Sequence, residues 1–381
     1  MKIKEFNWGP TLFLTIYQTL LLLSLPFYFY FTPPSLGMIG ISIILLYLTG
    51  LSITAGYHRF YSHRSYRTNS FVEMLLLFFG SMAGQGSALR WSFDHRLHHA
   101  HVDTDCDPYS IKKGFWYAHC LWILEKPKKI EAKVVPDLIK NRLVQFQHKY
   151  DFLCMLISNG IAFLVVGWFL DDYMGAFFLA CWTRLFLLHH FTWFINSLAH
   201  TWGDRPFCQE QSAVNNYILA LLTFGEGYHN YHHTFCNDYR NGIRWFHFDP
   251  TKWLIWTLSK CGLTKELKRM DSYTIQKRMV LERKRLLLGR VCNLWYVKKD
   301  ELEKLVRELA EKLVVEFAEF NQLRVNYRLA RKEGREPDQL KVFKQKLSIL
   351  KKNLKSNWRL WKQLSRHILK LKPFESFPCP I

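Results

Sequence analysis

Nine of the 16 histidines fall into four tight groups: His58 with His63, the run His95-Arg96-Leu97-His98-His99, Asn196 with His200, and the run His229-Asn230-Tyr231-His232-His233. The pattern His-x-x-His-His occurs twice and places three imidazoles at i, i+3 and i+4, on one face of a helix. Asn196 and His200 are also four apart. His58 and His63 are five apart and share no α-helical face, so the helix that carries them is expected to end or bend there. Nine imidazoles exceed the four that a tetrahedral zinc takes. Cysteine is absent from the groups, which disfavours an iron–sulfur cluster. Imidazole suits iron, copper, zinc and nickel alike. Two octahedral-leaning metals sharing the nine nitrogens fit best, and two iron ions are the redox-active choice for O2 chemistry. Neutral ligands leave the metal charge uncompensated, which favours an oxidant able to take hydrogen from an unactivated methylene. A zinc-protease reading fails because there is no His-Glu-x-x-His. The remaining histidines, at 101, 119, 148, 189, 190, 247 and 367, are expected to be ordinary hydrogen-bonded residues.

The elements that must position these groups are apolar. Thr11–Phe31 and Leu36–Tyr57 are uncharged runs, each near the roughly 20 residues a helix needs to cross a hydrocarbon core. Pro33, Pro34 and Gly37 separate them. A second pair follows at Phe152–Leu170 and Tyr173–Leu198, the latter with Arg184 as its one Lys, Arg, Asp or Glu. The expected fold is therefore an all-α integral membrane protein with four transmembrane helices in two hairpins. The tight turns Thr32–Ser35 and Asp171–Asp172 have no Lys or Arg, whereas Arg59–Asp151 and the chain after Leu198 are rich in both. By the positive-inside rule, both termini and the long connections are expected to be cytosolic. The connections (59–151 and 199–268) would form a helical cap holding the di-metal site. Because the histidines flank the spans, an intramembrane ion path is disfavoured. Phe71–Leu89 is read as a helix in the membrane interface. The apolar run after Lys2 and Lys4 lacks a small-residue cleavage site and reads as a retained anchor rather than a signal peptide.

Mean hydropathy is only −0.09, so an apolar part is averaged with a very polar one. Of the net charge of +21, +16 lies from Cys261 onward. An apolar, histidine-bearing part, 1–268, is thus followed by a basic extension, 269–381. There Asp300–Ala330 and Gln339–Leu371 carry apolar residues at helical spacing, separated by Gly334, Pro337 and Asp338, which predicts a helical hairpin. Beside membrane spans, the basic excess is matched to lipid head groups rather than to nucleic acid. The nine cysteines are scattered and read as free thiols in a reducing compartment.

At its histidines the chain resembles the membrane acyl-CoA Δ9 desaturases, the stearoyl-CoA desaturase family. The strings are Ile53–Arg64, Asp94–His99, Asn196–His200 and Gly225–Thr234. Asp238–Asn241 and Asp249–Lys252 look especially like fungal members. The resemblance runs from about Thr11 to Lys268. It implies that nine histidines, His58, His63, His95, His98, His99, His200, His229, His232 and His233, bind two iron ions, with Asn196 holding one through a water. It implies a substrate tunnel kinked by Gln85, Trp91, Thr192 and Trp193 and closed at its far end by Leu46 and Gly50, where the small Gly50 would leave room for a long chain. Trp122 and Lys126 match coenzyme-contacting types, with Lys112, Lys113, Lys128 and Lys129 nearby. Two positions depart: Phe93 stands where animal members have an Arg that touches coenzyme A, and Gly86 where they have Asn. The implied activity is O2-dependent cis desaturation of a long saturated acyl-CoA at an endoplasmic reticulum or bacterial inner membrane. No His-Pro-Gly-Gly string marks a cytochrome-b5-like domain, so a separate electron donor is expected, such as cytochrome b5 or ferredoxin with its reductase. An acyl-lipid desaturase, a di-iron lipid hydroxylase and a non-catalytic relative are the competing readings.

Overall fold

The computed structural model describes residues 6–294 and 298–371; Lys2 and Lys4 of the expected anchor lie outside them. Three helices are long and apolar enough to cross a membrane, on length and composition: Trp8–Phe31, Leu36–Ser62 and Asp151–Leu170. Ser35 caps the second by accepting from the Met38 N–H at 3.1 Å. The expected fourth span is a helical run in three pieces: Tyr173–Gly175, a π-helical stretch Ala176–Thr183, and Arg184–Asn196. It packs on both helices of the first hairpin, but Arg184, His189 and His190 keep it less apolar than the other three. Arg184 is fully buried, and its guanidinium donates to Ala180 O (3.1 Å), to Met82 O (2.9 Å) and to the Asn159 side chain. A buried charge in an apolar helix persists only when its donors are satisfied in this way.

The second helix changes winding where chemistry begins. Leu36–Leu51 is α-helical and Ser52–Ser62 is π-helical, with the His63 N–H donating to His58 O at 3.1 Å. In a π-helix the i to i+5 spacing shares a face, so His58 and His63 point together, and the helix ends at Ser62 with His63 as its C-cap, the end expected from the sequence. Such widened turns concentrate at functional sites.

The cap is built from shorter pieces. A helix runs over Ser70–Met82 within the apolar stretch Phe71–Leu89 read from the sequence, but it stops at Met82 rather than Leu89, because Gly84 and Gly86 turn the chain through positive φ. Ala88–His101 then starts behind a Ser87 cap and carries the first His-x-x-His-His. His229–Thr234 carries the second. Asn196 ends its α-helix and His200 closes a 3-10 turn, Leu198–His200, so these two do not share an α-helical face as their spacing suggested. A two-stranded antiparallel pair, Arg67–Thr68 with Thr264–Lys265, ties the start of the cap to its end.

Contacts divide the chain into two compact units: residues up to Arg205 with Glu210–Arg269, and Pro206–Gln209 with the chain from Met270. In the second, the predicted helix pair is Lys299–Lys332 and Pro337–Lys370. A third helix, Ser272–Cys292, joins them around Val280, Leu287, Val306, Leu313, Leu354 and Trp361. Its apolar spacing is hidden in the sequence by the consecutive Leu286, Leu287 and Leu288.

Within the first unit, Gly227 lets the loop carrying Glu226 lie against backbone, since a Cβ there would overlap Ala220 N and Asn216 O. The neighbours cannot yield as a flexible side chain would. Gly227→Ala is expected to destabilise the protein by about 1–3 kcal/mol or more, seen as a lowered Tm and as loss of bound metal in the purified full chain.

Candidate metal centre and substrate cavity

All nine histidines of the four groups converge, and the structure divides them. His58, His63, His95, His99 and His232 bring ligand nitrogens within 4.8 Å of one another, and so do His98, His200, His229 and His233. Each His-x-x-His-His is shared out. Its i and i+4 members serve one group (His95 and His99; His229 and His233), and its i+3 member serves the other (His98; His232). The two helices therefore face each other with interleaved imidazoles.

The inner nitrogens crowd. Nε2–Nε2 distances are 2.8 Å for His63–His95, 3.0 Å for His58–His232 and for His99–His232, 3.0 Å for His229–His233, and 3.3 Å for His98–His233. An ion about 2.1 Å from each nitrogen puts ligands at right angles about 3.0 Å apart, so the spacing suits a metal's coordination sphere. His200 Nε2 is buried without a hydrogen-bond partner among the described residues, as a ligand atom awaiting an ion would be. Burial, and then the neighbouring histidines, hold His63, His95, His99, His229, His232 and His233 well below the usual imidazole range. For His200, burial comes first and His98 second. They are neutral and present lone pairs, the state a metal requires. The donor set fits two metal ions.

The outer nitrogens show residues that spacing alone did not single out. Asp107 Oδ1 accepts from His98 Nδ1 at 2.9 Å, which fixes the tautomer and turns the Nε2 lone pair inward. Glu226 Oε2 lies 3.2 Å from His58 Nδ1, off the line of a well-formed hydrogen bond. Tyr109 Oη meets His95 Nδ1 at 3.1 Å. Ser212 Oγ meets His200 Nδ1 at 2.6 Å and is itself held by Asp103. Each nitrogen group thus has one carboxylate behind it. Burial pushes the Glu226 carboxyl up, but His58 and Arg59 together bring it down to about 2. Arg59 is buried with it, donating to Glu226 Oε1 at 2.8 Å, Asp249 Oδ1 at 3.0 Å and Tyr239 O at 2.7 Å. The sequence signal for Glu226 was its place in Gly225-Glu226-Gly227, two glycines that permit close burial. Asp107 had none, because it lies in an irregular loop.

A cavity of about 640 Å³ adjoins the first group, with His58, His95 and Glu226 in its wall. Gln85, Trp91, Thr192 and Trp193 line it as expected. The Gln85 amide donates to Thr192 Oγ1 at 2.8 Å and accepts from Trp91 Nε1 at 3.3 Å. Asn196, Trp122 and Lys126 also line it, with the basic Arg90, Lys113 and Lys128. Leu46 and Gly50 do not. A Cβ on Gly50 would overlap the ring of Phe224, and Leu46 is packed into the same apolar cluster as Phe224, Ile53 and Leu188. The space that a small Gly50 seemed to leave is filled by a side chain from a loop 174 positions on, beyond the reach of local spacing. Phe93 is fully buried in that cluster, and Gly86 has φ +76°. Of the other histidines, His148 bonds Ser87 Oγ at 2.6 Å, His119 bonds Ser197 Oγ at 3.0 Å, and His189 bonds Tyr17 Oη at 2.7 Å.

Residues 33–262 match the family model described as fatty acid desaturase. The probable acyl-CoA desaturase of Schizosaccharomyces pombe is 44% identical over 262 residues, covering 67% of this chain and 54% of that protein. Acyl-CoA desaturase 1 of Saccharomyces cerevisiae is 40% identical, covering 65% and 49%. The sn-2 palmitoyl-lipid 9-desaturase of Nostoc is 35% identical, covering 69% and 90%. The chain spans about half the length of the two yeast relatives.

Two outcomes follow from the geometry. Asp107→Asn keeps the shape but removes the charged acceptor, so metal affinity should fall about 10- to 100-fold in a chelator competition. Unfolded imidazoles take up protons below about pH 6.5 while the folded cluster resists them. The unfolded state then binds more protons, so stability rises with pH in that window. The metal-free full chain in detergent should lose Tm steadily from about pH 7 to about pH 5 and be flat above it.

Proposed function

This chain belongs to the fatty acid desaturase family, and on that premise we propose that it introduces a cis double bond, at Δ9, into a long saturated fatty acyl-CoA. The observation that carries this reading is the pair of histidine nitrogen groups beside a cavity that is apolar within and basic in part of its lining. In this reading His58, His63, His95, His99 and His232 hold one iron, and His98, His200, His229 and His233 hold the other, with Asn196 completing the second through a water. Two irons bound there would supply the O2-dependent removal of two hydrogens from neighbouring methylenes. Electrons come from a separate carrier such as cytochrome b5 or ferredoxin with its reductase.

The protein's own contribution is position. A saturated chain offers near-identical methylenes, so only the wall decides which pair meets the metals. The hydrogen-bonded set Trp91, Gln85 and Thr192 is fixed across two elements and shapes the bend. Trp122 lines the cavity with an Nε1 that has no hydrogen-bond partner among the described residues, and with Lys126 it offers donors to the thioester end. Burial excludes water from the oxidising centre. Four helical runs form two hairpins, with the histidine-bearing cap and its flanks on the cytosolic side of an endoplasmic reticulum or bacterial inner membrane. The absence of Lys and Arg from Thr32–Ser35 and Asp171–Asp172 supports that orientation. A lipid-linked acyl substrate is the second reading. It is favoured by Phe93, which is apolar and buried where animal members carry a coenzyme-contacting Arg, and by the lipid substrate in the name of the Nostoc relative.

The test is expression in desaturase-deficient yeast, followed by gas chromatography–mass spectrometry with double-bond localisation. New cis-Δ9 products of 16 or 18 carbons are expected, and His98→Ala or His232→Ala should abolish them and lower bound iron. Full activity in either variant would sink the metal assignment. Oxygen retained in the product would make the enzyme a hydroxylase. Activity on phospholipid but not on acyl-CoA in isolated membranes would establish the second reading. Phe224→Ala, which would open the space beside Gly50, should shift the product profile toward longer chains, whereas an unchanged profile at retained activity would separate that space from the tunnel.

A further inference from the structure

The last helix, Pro337–Lys370, lies outside the family match and carries an ordered charge pattern. It has ten Lys and Arg and one acidic residue, Asp338. All ten are exposed, and among the described residues only Lys341 has an acidic partner, Asp338 at 2.9 Å. At 3.6 residues per turn, nine of the ten fall within an arc of roughly 100°. These are Lys341, Lys344, Lys351, Lys352, Lys355, Arg359, Lys362, Arg366 and Lys370; Lys346 alone lies off it. The arc faces away from Leu354, Trp361 and Ile368, which pack into the three-helix core.

We propose that this stripe is a docking surface for an anionic lipid leaflet. Two observations select a membrane over water or a soluble acidic protein. The helix is straight-patterned over 34 residues, about 50 Å at 1.5 Å per residue, whereas a small domain about 30 Å across would cover little more than half of it. A flat anionic surface engages the whole stripe at once. The same chain carries three helices of membrane-crossing length and apolarity, so a bilayer is the surface to which it is permanently tethered. The cytosolic leaflet is the anionic one, and juxtamembrane Lys and Arg are attracted to it within a Debye length. The helix would then orient its bundle on the membrane independently of the metal centre.

Lysine footprinting on the full chain tests this. The protein is placed in nanodiscs of phosphatidylcholine alone or with about 30% phosphatidylserine, and acetylation rates are read by mass spectrometry. Lys344, Lys351, Lys355 and Lys362 should react roughly 10-fold more slowly on the anionic discs, with the difference abolished in high salt. Lys346, off the arc, should react alike on both and serves as the internal control. Equal rates on the two lipids overturn the proposal and leave the stripe to solvent or to a soluble acidic partner. Equal slowing of Lys346 overturns it too, since the effect would then be a general surface potential rather than contact along the stripe.

Discussion

Nine imidazoles packed with their ring nitrogens against one another, most of them buried, set the terms for the rest of this protein. Nitrogens 2.8–3.3 Å apart in a buried space repel unless a proton or a cation lies between them. Protons are disfavoured because burial penalises the charged form, so a metal is the species that relieves the crowding. The scaffold must hold the ligands in place whether or not the ion is there. That explains the investment behind them: a carboxylate on each nitrogen group, and the Arg59–Glu226–Asp249 cluster joining the membrane helix to the cap. A buried ion cluster of this kind contributes little net stability against an apolar core, but losing one member is costly. It fixes geometry.

The cavity follows from the same constraint. Its wall takes two of the nine histidines, His58 and His95, so whatever lies in it borders the nitrogens that can bind metal. Gln85, Thr192 and Trp91 join the loop after Met82 and the helix Ala88–His101 to the helix Arg184–Asn196 through side-chain bonds. Phe224 comes from the same short loop as Glu226. One backbone turn therefore places both the carboxylate behind His58 and the ring that packs on Gly50.

The histidine motifs were legible because metal ligation imposes both residue type and spacing, and the apolar runs were legible because a hydrocarbon core imposes length. Within those runs the second helix gave a misleading cue. Five-residue spacing between His58 and His63 argues against a shared face only if the winding is α, and here it is π. Asn196 and His200 misled in the opposite sense, with α spacing across a helix that had already ended. The third helix of the basic unit was obscured because a run of three leucines carries no period.

By itself the sequence determined which atoms could bind metal and in what groups, that apolar helices would flank them, and that the basic charge would collect in a separate helical segment. Those follow from side-chain chemistry and from periodicities of a few residues, which are local. Only the tertiary structure decided how the nine divide into five and four, which carboxylates stand behind them, and what fills the notch at Gly50. Each of those depends on residues brought together from elements as far apart as Gly50 and Phe224. No local period encodes where two distant segments meet; packing does.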